Sequence, residues 1–171
     1  MKRLRTAALA TCILSTCAAL RAQTTARIGT FDSRAIAVAY ARSDMGAQFI
    51  ASLVAERDRA KAAGDEQKVR EVEARAKAHQ ARLHGQGFST ASVALLLEKI
   101  KPELASVAKD AKVSLIVSKW EVIYADPSIE YVDVTMRLVQ KFTTDPSVIK
   151  VIEELLKHDP IPSDVLVSDE H

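Results

Sequence analysis

Apolar positions fall into two periods along this chain, alternating near the ends and helical between them. Ile28 to Phe31 is short, apolar and partly β-branched, which predicts a strand. Asp32 and Ser33 follow it with side-chain oxygens that can cap a helix through Ala35, Ile36, Val38 and Ala39. Ser43 or Asp44 caps a further helix running to about Ala63. Its apolar residues Phe49, Ile50, Leu53 and Val54 cluster near the start, and Glu56 to Lys61 is almost wholly polar. Such a helix suits a projection held at its base, or equally a solvated face of a compact domain.

Gly64-Asp65 ends that helix and caps the next. The following stretch repeats in sevens, with Val69, Ala76 and Leu83 at one seam position and Val72 and His79 at the other. Two heptads make a short hairpin. His84-Gly-Gln-Gly-Phe88 is predicted to interrupt the helix at a corner packed by Phe88, with Ser89 or Thr90 capping its successor. Val93, Leu97, Ile100, Leu104, Val107 and Ala111 then share one helical face, which Pro102 should kink. Val113 to Val117 reads as a strand. Ser118-Lys119 offers a tight turn into Trp120 to Tyr124, although it lacks the Gly or Asn of a two-residue hairpin, so a wider loop also fits. Ala125 to Ser128 is a turn. Asp133 caps a helix over Val134 to Phe142 with Val134, Leu138, Val139 and Phe142 inward, and Asp145-Pro146 opens another through Leu156. Asp159-Pro-Ile-Pro162 cannot continue a helix, and the acidic tail to His171 is expected to be loosely ordered.

The first segment changes what the composition means. Lys2, Arg3 and Arg5 precede an apolar stretch from Thr6 to Leu20, with Ala22 as a plausible cleavage residue before Gln23: a secretory signal over residues 1–22. Its removal takes four basic residues, leaving 20 of the 24 against 22 acidic ones, so net charge moves from +2 to −2. A polybasic nucleic-acid binder is thereby disfavoured. Both cysteines, Cys12 and Cys17, lie in this segment. Leu14-Ser-Thr-Cys17 has some likeness to a lipoprotein cleavage site, so membrane attachment is expected only if Cys17 is lipidated. The remaining residues suffice for one domain with a modest core, filled by Ala, Val, Leu and Ile because aromatics are few.

Candidate chemistry is sparse. His79 and His84 are spaced badly for a shared helical face, and His79 reads as a partly buried seam residue rather than a metal ligand. Gly85-Gln-Gly87 lacks the Lys and preceding strand of a phosphate loop. Asp32, Asp126 and Asp133 lie near predicted strand ends, where carboxylates can meet, but each also has a simple role as cap or turn residue. Ser33, Ser89 and Ser118 have no recognisable histidine partner. No catalytic residue, cofactor or metal is expected. Trp120 and Tyr124 are read as packing or interface aromatics.

Three stretches together carry a resemblance: Arg27-Ile-Gly-Thr-Phe-Asp32, then Val113-Ser-Leu-Ile-Val-Ser-Lys-Trp-Glu-Val-Ile-Tyr-Ala-Asp126, then Tyr131-Val-Asp-Val-Thr135, with charged helical sequence between. That order resembles the OmpH/Skp family of periplasmic chaperones. The resemblance implies an α+β fold in which Ile28 to Phe31, Leu115 to Val117 and Val122 to Tyr124 form the sheet. A helical arm over about 44–112 would project from it, and Asp133-Val134-Thr135 would begin the closing helix. It further implies a periplasmic, non-enzymatic, ATP-independent holdase for unfolded envelope proteins, trimeric by analogy. Phe49, Ile50, Leu53 and Val54 would then meet the client, with Trp120 and Tyr124 as further contacts. An interaction or scaffold protein of the envelope with the same fold is the alternative. At helical rise the arm from Asp44 to Ala63 is only about 30 Å long.

Overall fold

The computed structural model describes residues 26–162 and Val165. The expected signal, its cleavage site, both cysteines and most of the acidic tail lie outside the described residues.

The protein is α+β. Three strands, β1 (Arg27–Phe31), β2 (Leu115–Ser118) and β3 (Glu130–Asp133), form a parallel sheet in the order β2-β1-β3. Gly29 stands opposite Ile116 on one side and Val132 on the other. Helices fill the long parallel crossover between β1 and β2, as such a connection requires. They are α1 (Ser33–Ala41), α2 (Asp44–Ala62), α3 (Glu66–Phe88), α4 (Ala94–Leu97) and α5 (Lys101–Ala111); α6 (Thr135–Val139) and α7 (Pro146–Leu155) follow β3.

Local signals set the helix starts. Asp32 accepts from the Arg34 amide, Ser43 from Gly46, Asp65 from Lys68 and Asp145 from Ser147. Gly64 takes φ +69° at the tip between α2 and α3, a conformation in which a Cβ is strained. The hairpin seam forms as its spacing predicts: α2 packs on α3, Val69 and Val72 are buried on α3 and Leu53 and Ala60 on α2, and Ala76, His79 and Leu83 are partly buried. Glu56 bridges the two helices through Lys68 at 3.0 Å and Arg75 at 2.9 Å. The run from Val93 to Ala111 packs on the body, where Val93, Ile100, Val107 and Ala111 join the core with Phe31, Ile36, Leu138 and Ile152.

Four local expectations need correction. Val122 to Tyr124 is not a strand; the third strand is Glu130–Asp133, parallel to β1. Ser118-Lys119 supplies no residue suited to positive φ, so the chain leaves β2 through a 3-10 turn over Lys119–Glu121, held by contacts of Lys119 and Trp120 with Asp32. Next, α3 runs unbroken through Gly85 and Gly87 to Phe88. Gly87 is buried in its last turn, Ser89 N–H donates to the Gly85 carbonyl, and Phe88 is exposed rather than packed beneath a corner. Neither Ser89 nor Thr90 caps the next helix, which begins at Ala94. Third, Pro102 lies in the first turn of α5, where a missing N–H costs nothing, and the break precedes it as a 3-10 turn over Glu98–Ile100. Finally, α6 is shorter than Val134 to Phe142, although the four inward residues named for it are buried.

α1 is the hub. It packs against α2, α3, α6 and α7, and Ala35, Ile36, Ala37, Ala39 and Tyr40 are all buried. Burying one side chain the size of Ile36 stabilises the fold by about 2 kcal/mol. The same helix buries Arg34, an unfavourable residue to remove from water without a partner.

Candidate functional site

Parallel strands bring their carboxyl ends to one edge, the usual place for ligands in open parallel sheets. Here that edge carries Asp32 after β1, Ser118 at the end of β2 and Asp133 at the end of β3. The Asp32 carboxylate is wholly buried and accepts from Arg34 Nε at 3.1 Å, Arg34 Nη2 at 2.7 Å and the Arg34 amide at 3.0 Å. Trp120 Nε1 donates to it at 3.3 Å and Lys119 Nζ lies 2.9 Å away. Five donors exceed the roughly four acceptor positions of a carboxylate, so none remains for a ligand. Burial alone would raise the Asp32 carboxyl, but the hydrogen bonds and charges of Arg34 and Lys119 outweigh it and hold it below its ordinary value.

Arg34 Nη1 also donates to the His158 carbonyl at 2.8 Å, and Asp32 N–H donates to Thr135 Oγ1 at 3.0 Å. The cluster therefore ties β1 to α1, the exit of β2, the start of α6 and the chain after α7. Its geometry is that of a clasp. Asp133 accepts from the Thr135 amide at 2.7 Å and Asp126 from Ser128, so each of the three aspartates makes a capping or turn contact. Among the described residues Ser33 Oγ is buried without a hydrogen-bond partner, beside a cavity of about 180 Å³ that Ser118 and Glu121 also line.

A larger concavity lies at the base of the hairpin, bounded by α1, α2, α3 and α7. Its volume is about 720 Å³, within the range of ligand clefts. Small residues (Ala37, Ala41, Ala76) line it together with the large apolar side chains of Ile50, Phe88 and Val151. Ile50 is 47% exposed and Phe88 50%, so the fold leaves large apolar side chains facing solvent around one groove. Among the described residues no acidic side chain lines it, and Arg42 and Lys77 supply its fixed charges. His79 joins it to a smaller cavity of about 180 Å³ that Phe49, Arg82, Gln86 and Lys99 help to line. Burial, then the nearby charges of Arg82 and Lys99, push the His79 imidazole below its ordinary value, so it is neutral at pH 7.

The residues expected to meet a client are thus dispersed. Ile50 lines the groove. Phe49 is half-buried with its ring 4.4 Å from that of His79. Leu53 is buried within the hairpin, as are Val69 and Val72 on α3, so it does not face solvent, and Val54 is exposed outside the groove. Trp120 is held to Asp32, and Tyr124 is 77% exposed on the loop before β3.

Sequence reasoning missed Phe88, Val151 and Leu155. A signal was present in α7, which carries two apolar i, i+4 pairs: Val148 with Ile152, which are buried, and Val151 with Leu155, which line the groove. One stripe is enough to bury a short surface helix. Comparison of the chain with protein-family models, curated proteins and solved structures finds no match.

Proposed function

We propose that this is an exported, periplasmic holdase-like protein that shields apolar segments of unfolded envelope proteins without nucleotide, as its resemblance to the OmpH/Skp family implies. The observation that carries the reading is the open groove at the hairpin base, margined by Ile50, Phe88 and Val151. A non-enzymatic role accords with the saturated Asp32 carboxylate, since a carboxylate with no free acceptor position is a poor general base. A groove of this kind would hold one short apolar stretch at a time, so capture of a long client needs several weak contacts or several copies.

The test is suppression of aggregation of an unfolded outer-membrane protein, followed by light scattering. The native chain should protect at near-stoichiometric amounts, and the Ile50→Asp/Val151→Asp variant, with unchanged circular dichroism, should lose at least about tenfold in potency. Equal protection by both proteins would sink the groove as the client site.

One observation favours the alternative of a specific interaction protein. Ile123 is fully exposed beside the exposed Tyr124, and the outer edges of β2 and β3 have no strand partner among the described residues. Such a surface suits strand addition by another chain, whether an envelope partner or a second copy. Mass by light scattering on a sizing column separates the readings: a trimer supports the family-like body, and a monomer with one tight envelope partner on pull-down supports the scaffold.

A further inference from the structure

We propose that the groove at the hairpin base is a binding site for a single-chain fatty carboxylate, an alkyl chain carrying one anionic head. The inference concerns a small molecule and stands whether or not the groove also takes client. The lining is polarised along α3. A Cβ built on Gly87 would lie 3.9 Å from Val38 Cγ2, and the rings of Tyr40 and His79 are 6.4 Å apart, so α1 and α3 run antiparallel. Arg42, directly after α1, therefore lies toward the Lys77 end of the groove. At the opposite end Arg34, near the start of α1, donates to the His158 carbonyl, and Ile161 N–H donates to the Phe88 carbonyl. These two bonds bring the end of α7, with Leu155, to the Phe88 end and away from the cations.

Each end matches one part of such a ligand. Among the described residues Arg42 and Lys77 form no ion pair and no carboxylate lines the groove, so both cations are available to an anionic head. Between the ends, Ala37, Ala41, Ala76 and Gly87 leave open a trough that larger side chains would fill, and Leu83 and Val151 add apolar wall. From Lys77 to Phe88 α3 rises about 16 Å, comparable with an extended myristoyl chain. The volume of about 720 Å³ is that of a cleft for one small molecule. A cationic amphiphile would meet two like charges there, and a neutral chain would leave both without a partner.

The experiment is calorimetric titration of the full chain with myristate below its micelle concentration. Two probes run beside it: tetradecyltrimethylammonium has the same tail and the opposite charge, and butyrate has the head without the tail. Myristate should bind at least about tenfold tighter than the cation, as two charge-assisted contacts allow, and butyrate should show no binding. Arg42→Glu/Lys77→Glu should invert the preference between the two amphiphiles. Ala41→Phe, at an exposed position on the groove lining, should abolish binding of both with unchanged circular dichroism. Equal affinity for the two amphiphiles would overturn the proposal by showing an apolar surface that recognises no head group. Myristate binding that survives Ala41→Phe would overturn it by placing the ligand elsewhere. Myristate binding without client protection would keep this site and remove the holdase reading. Client protection without myristate binding would do the reverse.

Discussion

Replacing Asp32 by Asn tests the clasp most directly. The substitution keeps the shape and removes the charge, leaving the Arg34 guanidinium, 2% exposed, with the His158 carbonyl as its remaining strong acceptor. Stripping one partner from a buried pair costs about 3–5 kcal/mol, because the surviving guanidinium can neither lose its charge nor reach water. Lys119 contributes little to that figure: its side chain is 39% exposed and swings into solvent when its partner is lost. Against a domain stability of about 5–15 kcal/mol this is a large share, and with a urea slope of about 2 kcal/mol/M it lowers the unfolding midpoint by about 2 M. Trp120 is the one tryptophan of the chain and donates to Asp32, so its fluorescence reports both the unfolding transition and the site itself. The pH dependence has a definite sign. Asp32 is held below its ordinary value, so its stabilisation is fully present above about pH 4 and is lost as pH falls through the lower, folded value. Asp32→Asn should therefore flatten the acid limb of the stability profile. The double variant Asp32→Leu/Arg34→Met removes both charges and should cost less than Asp32→Asn alone. A loss under about 1 kcal/mol for Asp32→Asn, or a double variant at least as unstable as the single one, would refute the reasoning.

Two other positions give sharp expectations from backbone geometry. Gly46 lies where the first turn of α2 crosses the end of α1, and an added Cβ would sit 2.4 Å from the Tyr40 carbonyl oxygen. Gly46→Ala should cost about 3 kcal/mol in urea unfolding, since backbone atoms cannot move aside cheaply; a neutral result would mean that the two helices slide freely. Lys112 ends α5 with φ 54°, and among the described residues its side chain forms no ion pair. Lys112→Gly should stabilise by about 1 kcal/mol and raise the melting temperature by about 3 °C, retaining the Arg27 hydrogen bond to the Lys112 carbonyl; a fall in melting temperature would contradict it.

The amino-acid sequence by itself determined the elements whose causes are local. Ser43, Asp65 and Asp145 mark helix starts because a side-chain oxygen meets an amide two or three residues away, and Gly64 marks the tip because it alone there takes positive φ without strain. The heptad spacing of Val69, Val72 and Leu83 made the hairpin seam legible for the same reason. Tertiary structure decided the rest. Val122 to Tyr124 alternates like a strand, yet Asp32, some 90 positions earlier, draws Lys119 and Trp120 to itself and turns the chain away, so β1 pairs with Glu130–Asp133 instead. Gly85 and Gly87 look like breakers, yet packing against α1 holds the helix through them. The groove was the least legible feature, since Ala37, Ile50, Phe88 and Val151 share no period and meet because four helices leave a gap between them. Local hydrogen bonds act across a few residues and can be read in order along the chain; a shared concave surface depends on how whole elements pack, and no single stretch of sequence contains it.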